Sequence, residues 1–193
     1  LRRQDTYVEE VKLSDLECVR EIIYNAEPNV NVFGSDNVTR TANGITGIST
    51  TDAIVQIDKI GGSIDLEKVA AIKITAKIPL GNYMEVYYTT SNSTGWSQDK
   101  SFAVQSVSNN FADYVVSTAD LAAWNGNLVG LRIDPVANIG VEYTVKSAYI
   151  YADSKKIPKK MTVNGNTFEL SIAPIADKDG EILLPFDPET GID

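Results

Sequence analysis

Histidine is absent from all 193 residues. That removes the commonest general base near neutral pH and the commonest metal ligand. Ser-His-Asp and Cys-His catalysis are excluded, and so are His-ligated zinc sites. A single cysteine, Cys18, permits neither an internal disulfide nor a thiolate metal cluster. Scarce cysteine suits the cytosol, and it also suits surface proteins whose cores are large enough without staples. No apolar run approaches the roughly 20 residues that a membrane span needs, and no signal-peptide pattern is present, as in a mature form or an excised fragment. Basic residues are the minority charge: 17 Lys and Arg against 26 Asp and Glu leave a formal net charge of −9. An acidic surface repels phosphate backbones and anionic lipid, which argues against nucleic acid as a partner and against membrane insertion.

What remains is an ordinary globular composition, 43% hydrophobic and 22% charged, long enough for one substantial domain with a small appendage. Strand signals dominate. In 71–78 (AIKITAKI), Ile72, Ile74, Ala76 and Ile78 alternate with Lys73, Thr75 and Lys77, the period of a half-buried strand. Further strands are expected at 53–58, 83–90, 102–107, 112–118, 128–134 and 141–151, with short ones at 30–33, 37–41 and 45–49. Segment 14–24 reads as either helix or strand, and 118–124 as a short helical turn with Thr118 as its N-cap. Many short strands between Gly, Asn, Asp and Pro turns, with no alternating βαβ pattern, indicate an all-β chain: an antiparallel jelly-roll β-sandwich over 1–153. The polar, basic stretch 154–161 reads as a linker, and 162–193 as a short C-terminal β-hairpin, a possible start of a second domain, with Asn164-Gly165 a strong turn signal.

Three motifs, Tyr88-Thr89-Thr90, Trp124-Asn125-Gly126 and Leu131-Arg132-Ile133-Asp134-Pro135, lead into the closing strand 141–151. Together they resemble jelly-roll carbohydrate-binding-like (galactose-binding-like) modules of bacterial extracellular proteins, well over 50–151 and loosely over 1–50. The tail 162–186 resembles the opening hairpin of the copper-amine-oxidase N-terminal-like domain, in architecture and not in copper chemistry. The resemblance implies an extracellular or cell-surface location, neighbouring domains of a parent protein, and a polysaccharide or glycan partner. It also implies a structural calcium where the first and last strands meet, held by Glu27, Asn29 and Asp153.

Strand parity places Lys73, Thr75, Lys77, Glu85, Tyr87, Arg132 and Asp134 on the outward face of the central sheet, with Gln56 and Asp58 beside them. Carboxylates, a guanidinium and amides suit paired sugar hydroxyls, and aromatic faces suit pyranose C–H surfaces. Arg132, Glu85, Tyr87, Lys77, Gln56 and the loop residue Trp96 are therefore the candidate ligand-binding set. The bland alternative is a solvated face of cross-strand ion pairs, each worth under about 1 kcal/mol. Trp96 can equally cap the core; Trp124, Tyr149 and Tyr151 read as packing residues. The expected function is a non-catalytic carbohydrate-binding accessory module. The alternatives are a structural or adhesive spacer and, more remotely, a glycoside hydrolase or lyase working through two carboxylates.

Overall fold

A computed structural model describes residues 12–153 and, beyond them, strand residues 160–163, 166–169, 175–176 and 182–183. The chain divides into two units, Leu1–Ser154 and Lys155–Asp193.

The first unit is an antiparallel jelly-roll β-sandwich. One layer runs β7 (Ala112–Ser117), β4 (Val69–Lys77), β9 (Glu142–Ala152). Beside β9 lie β1 (Glu17–Ile23), paired with its second half, and the start of β3 (Gly44–Ile57), paired with its first. The other layer runs β6 (Ser101–Gln105), β5 (Tyr83–Thr90), β8 (Leu128–Asp134), the end of β3, and the start of β2 (Val30–Thr41). Hydrogen bonding is continuous through β3, so the layers form one folded sheet of nine strands.

Period-two patterning creates the core. Ile72 and Ile74 of β4 and Val145 and Ile150 of β9 point inward, where they join Met84, Val86, Leu131 and Ile133 from the facing layer in one buried cluster. Each such side chain contributes on the order of 1.5–3 kcal/mol on leaving water. The intervening residues of β4, Lys73, Thr75 and Lys77, remain partly exposed, as the alternation requires.

The expected short strands at 30–33, 37–41, 45–49 and 53–58 are instead two long ones, β2 and β3. The polar residues 50–52, left between the expected strands 45–49 and 53–58, lie where β3 crosses between the layers. β2 crosses beside it, with register shifts at Phe33/Ser35 and Asp36/Thr39. The crossing depends on Gly34, whose φ is +62°; a Cβ there would sit 2.1 Å from the Asp52 carbonyl oxygen.

Segment 14–24 is neither wholly helix nor wholly strand: a 3₁₀ turn covers Leu13–Asp15 and the strand β1 covers Glu17–Ile23. No helix forms over 118–124: the Thr118 hydroxyl donates to the Val69 carbonyl at 2.7 Å, tying the end of β7 to β4 instead of capping.

In the second unit, β10 (Lys160–Val163) pairs antiparallel with β11 (Asn166–Glu169), and β12 (Ile175–Ala176) with β13 (Ile182–Leu183). The Asn164-Gly165 turn and most of the 162–186 resemblance lie outside the described residues.

Candidate functional site

The outward face of the β6-β5-β8-β3-β2 layer gathers most of the expected residues. Pairing puts Tyr87 opposite Arg132, Arg132 opposite Gln56, and Gln56 opposite Asn31, a row across four strands. The next row holds Glu85 opposite Asp134, with Ile54 and Phe33 paired on the far side. The previous row holds Thr89 opposite Gly130.

Arg132 is the centre of this lattice. Its Nε donates to Asp134 Oδ1 at 2.7 Å and its Nη2 to Asp134 Oδ2 at 2.5 Å, a bidentate clamp. The same Nη2 reaches Asp52 Oδ2 at 3.3 Å, and the guanidinium lies 4.8 Å from the centre of the Tyr87 ring. The bond to Asp134 pushes the Arg132 guanidinium up. Asp134 is itself pushed up, because burial disfavours its charge by more than Arg132 favours it.

Beside the clamp, the Tyr87 hydroxyl donates to Gln98 Oε1 at 3.0 Å, and Gln98 Nε2 donates to Glu85. Ser101 Oγ also donates to Glu85, at 3.1 Å. Burial, followed by the negative charge of Glu85, pushes the Tyr87 hydroxyl well above its ordinary value. Across the face, Gln56 Nε2 donates to Asp58 Oδ1 at 2.6 Å and Asn31 Nδ2 to Asp58 Oδ2 at 3.2 Å.

Trp96 joins the same face from its loop. A Cβ added at Gly130 would meet Trp96 Cη2 at 3.0 Å and Thr89 Oγ1 at 2.7 Å, so the indole edge rests on bare backbone where a side chain would otherwise stand. Thr89 is only 3% exposed although it points outward, while Trp96 is half-buried.

Lys77 is not part of this site. It belongs to β4, on the outward face of the other layer, where its Nζ reaches Glu142 at 3.4 Å. The expectation of one shared face fails because alternation within a strand fixes inside and outside but does not say which layer the strand joins. Lys73, Thr75 and Tyr149 share that second face: Lys73 Nζ lies 4.5 Å above the Tyr149 ring and 3.6 Å from Asp113, and Thr75 Oγ1 donates to Asp113 at 2.6 Å. Trp124 packs edge-on against Tyr88, with ring centroids 4.7 Å apart.

The calcium set does not fit as a shell. Glu27 is engaged by Arg20 Nη2 at 2.8 Å. In the β1–β9 ladder, Glu17 pairs with Ala152 and Ile23 with Ser147, so Asp153 follows one end and Glu27 the other. Hard-cation ligands must all lie within about 2.6 Å of one point. Among the described residues, no group of three or more His, Cys, Asp or Glu is arranged to hold a metal ion.

Phe33 was missed. It is 51% exposed on the candidate face, two residues from Asn31. The neighbouring Val30 and Val32 make Phe33 read as a core residue, although parity with Asn31 was the available signal.

No family model matches the chain, and no curated protein does. Solved structures do. A family 29 carbohydrate-binding module variant complexed with mannohexaose is 12% identical, covering 68% of this chain and 89% of its own, with a TM-score of 0.47. A second variant, complexed with cellulohexaose, is 14% identical over 69% and 92%, with a TM-score of 0.46. The module titled BiXyn10A CBM1, in apo form, is 11% identical over 69% and 97%, with a TM-score of 0.45. These structural neighbours are titled carbohydrate-binding modules. No helix among the described residues is long and apolar enough to cross a membrane.

Proposed function

We propose that the chain is a non-catalytic carbohydrate-binding module, acting as an accessory to a larger secreted or cell-surface protein, and that the β6-β5-β8-β3-β2 face holds an uncharged, extended polysaccharide. The observation that carries the reading is the mixture on that face: three aromatic side chains, Tyr87, Trp96 and Phe33, around a row of Arg132, Gln56 and Asn31. Strand spacing of about 4.8 Å and a rise of about 3.3 Å per residue put Phe33 roughly 16 Å from Gly130, about three sugar units of a linear chain. Aromatic surfaces at both ends can cover sugar rings while the central row addresses hydroxyls.

The charge balance supports an uncharged ligand. Asp52, Asp58, Glu85 and Asp134 outnumber Arg132, so a polyanionic glycan meets repulsion. Catalysis is disfavoured by the same bonds. Glu85 already accepts from Ser101 and Gln98, and Asp134 from Arg132, which keeps both from acting as a free acid–base pair. Weak multipoint binding of this kind serves a neighbouring domain by raising its local concentration at the polymer.

The spacer reading is favoured by one observation, that Arg132 spends its donors on Asp134 and Asp52. Calorimetric titration with mannohexaose, cellulohexaose and polygalacturonate separates the two. Binding to either neutral hexamer, abolished by Tyr87→Ala and weakened by Phe33→Ala, is the expected result. No binding to any glycan on a broad array establishes the spacer instead, and binding to polygalacturonate alone overturns the uncharged-ligand reading.

A further inference from the structure

Lys100 is 2% exposed, although it belongs to a residue type almost never buried without a partner. It ends a 3₁₀ turn, Gln98–Lys100, that leads into β6. Its Nζ donates to the Ser93 carbonyl at 2.9 Å, to Ser93 Oγ at 3.0 Å, and to the Gly95 carbonyl. An ammonium has three donors, and here all three end on one loop. None of the acceptors is a carboxylate.

The loop's two ends have their own bonds: the Lys100 backbone N–H donates to the Ser97 carbonyl at 3.0 Å at one end, and Thr90 closes the other. Thr90 Oγ1 accepts from the backbone N–H groups of Asn92 and Ser93, and Thr90 N–H donates to the Ser93 carbonyl. Those bonds close the turn at 90–93. Gly95, which comes next to Trp96, is tied down by Lys100.

We propose that Lys100 is a positioning residue: its buried ammonium fixes the 93–97 segment so that Trp96 stays seated over Gly130, ready for a sugar ring. The claim rests on the glycan-face reading for its purpose, but not for its geometry. Two devices meet at the indole. Gly130 leaves the space beneath it, and Lys100 supplies the restraint beside it. Gln98, two residues earlier in the same turn, bonds Tyr87 and Glu85. One short segment thereby sets both an aromatic platform and the polar row. Restraint of this kind saves the ordering cost that a mobile loop incurs on binding.

The test places Lys100→Met in a Trp124→Phe background, which leaves Trp96 as the sole tryptophan. Acrylamide quenching of Trp96 is expected to rise and its emission to shift to the red. Affinity for the neutral hexamer is expected to fall about tenfold or more. In a Trp96→Ala background the same Lys100→Met change should cost no further affinity, which a merely structural lysine would not produce. Ser93→Ala, a milder lesion, should move quenching in the same direction and less. Unchanged quenching in both variants overturns the proposal, as does an additive loss of affinity. If the parent chain binds no glycan, the functional reading falls, while the quenching result still decides whether Lys100 holds Trp96.

Discussion

Replacing Arg132 with alanine should destabilise the chain in a way that depends on pH. The guanidinium and Asp134 side chains are 18% and 10% exposed. Removing the cation leaves the Asp134 carboxylate nearly buried without its bidentate partner. Orphaning such a group costs about 1–3 kcal/mol in a partly solvated site, below the 3–5 kcal/mol of a fully buried pair. A loss of about 2 kcal/mol at pH 7 is expected from urea melts. Asp134 already sits above its ordinary 3.8, burial outweighing Arg132. Without Arg132 nothing opposes burial, and the folded-state value climbs further. A raised carboxyl keeps its contribution below the unfolded value and loses it as pH rises through the folded value. The deficit should therefore be small below about pH 4 and grow to a plateau toward neutrality. Arg132→Ala with Asp134→Asn should recover part of it, because the amide needs no counter-charge. A deficit that is flat from acid to neutral pH, or a double variant less stable than the single, refutes the reasoning.

Gly34→Ala should cost about 2–4 kcal/mol, combining the left-handed backbone penalty with overlap against the Asp52 carbonyl, read as a lowered urea midpoint. Stability should also fall as pH rises above 10, because Tyr24 and Tyr87 are pushed up strongly by burial, Tyr88 to about 12 and Tyr143 in the same direction. A raised tyrosine contributes below its unfolded value and loses that contribution as pH rises through the folded one. Tyrosinate absorbance from these four should accordingly appear together with unfolding, and early ionisation of Tyr24 would count against its burial. Lys77→Ala and a calcium chelator should each leave hexamer affinity and melting temperature unchanged, Lys77 because it lies on the other layer and the chelator because Glu27 is held by Arg20. Loss of binding in either case would move the site or restore the cation.

How much of this was legible depended on the kind of information each feature needs. β4, β5 and β8 were readable because local alternation carries them: the inward isoleucines of 71–78 and the outward Glu85, Tyr87, Arg132 and Asp134 follow from period two alone. Layer membership is non-local. Lys77 looked equivalent to Arg132 until pairing assigned β4 and β8 to different layers. The crossing at 50–52 was opaque for a related reason. Ser, Thr and Asp usually mark turns, and here a glycine on the partner strand lets the ladder bend and continue. Lys100 gave no signal at all, since a lysine in a polar loop reads as solvated until the loop is seen folded around it.

The crossing of β2 and β3 also bears on how the molecule comes apart. In a sandwich whose layers are joined only by loops, one layer can loosen while the other stays intact. Here two adjacent strands belong to both layers, so neither can exchange its amide hydrogens without disturbing the other's ladder. Fraying is expected at the strands with a single partner, β6, β7, β1 and the outer edge of β2, and any larger opening is expected to be global. Phe33 stands beside Gly34 at that shared seam, so its place on the candidate face depends on the crossing staying intact.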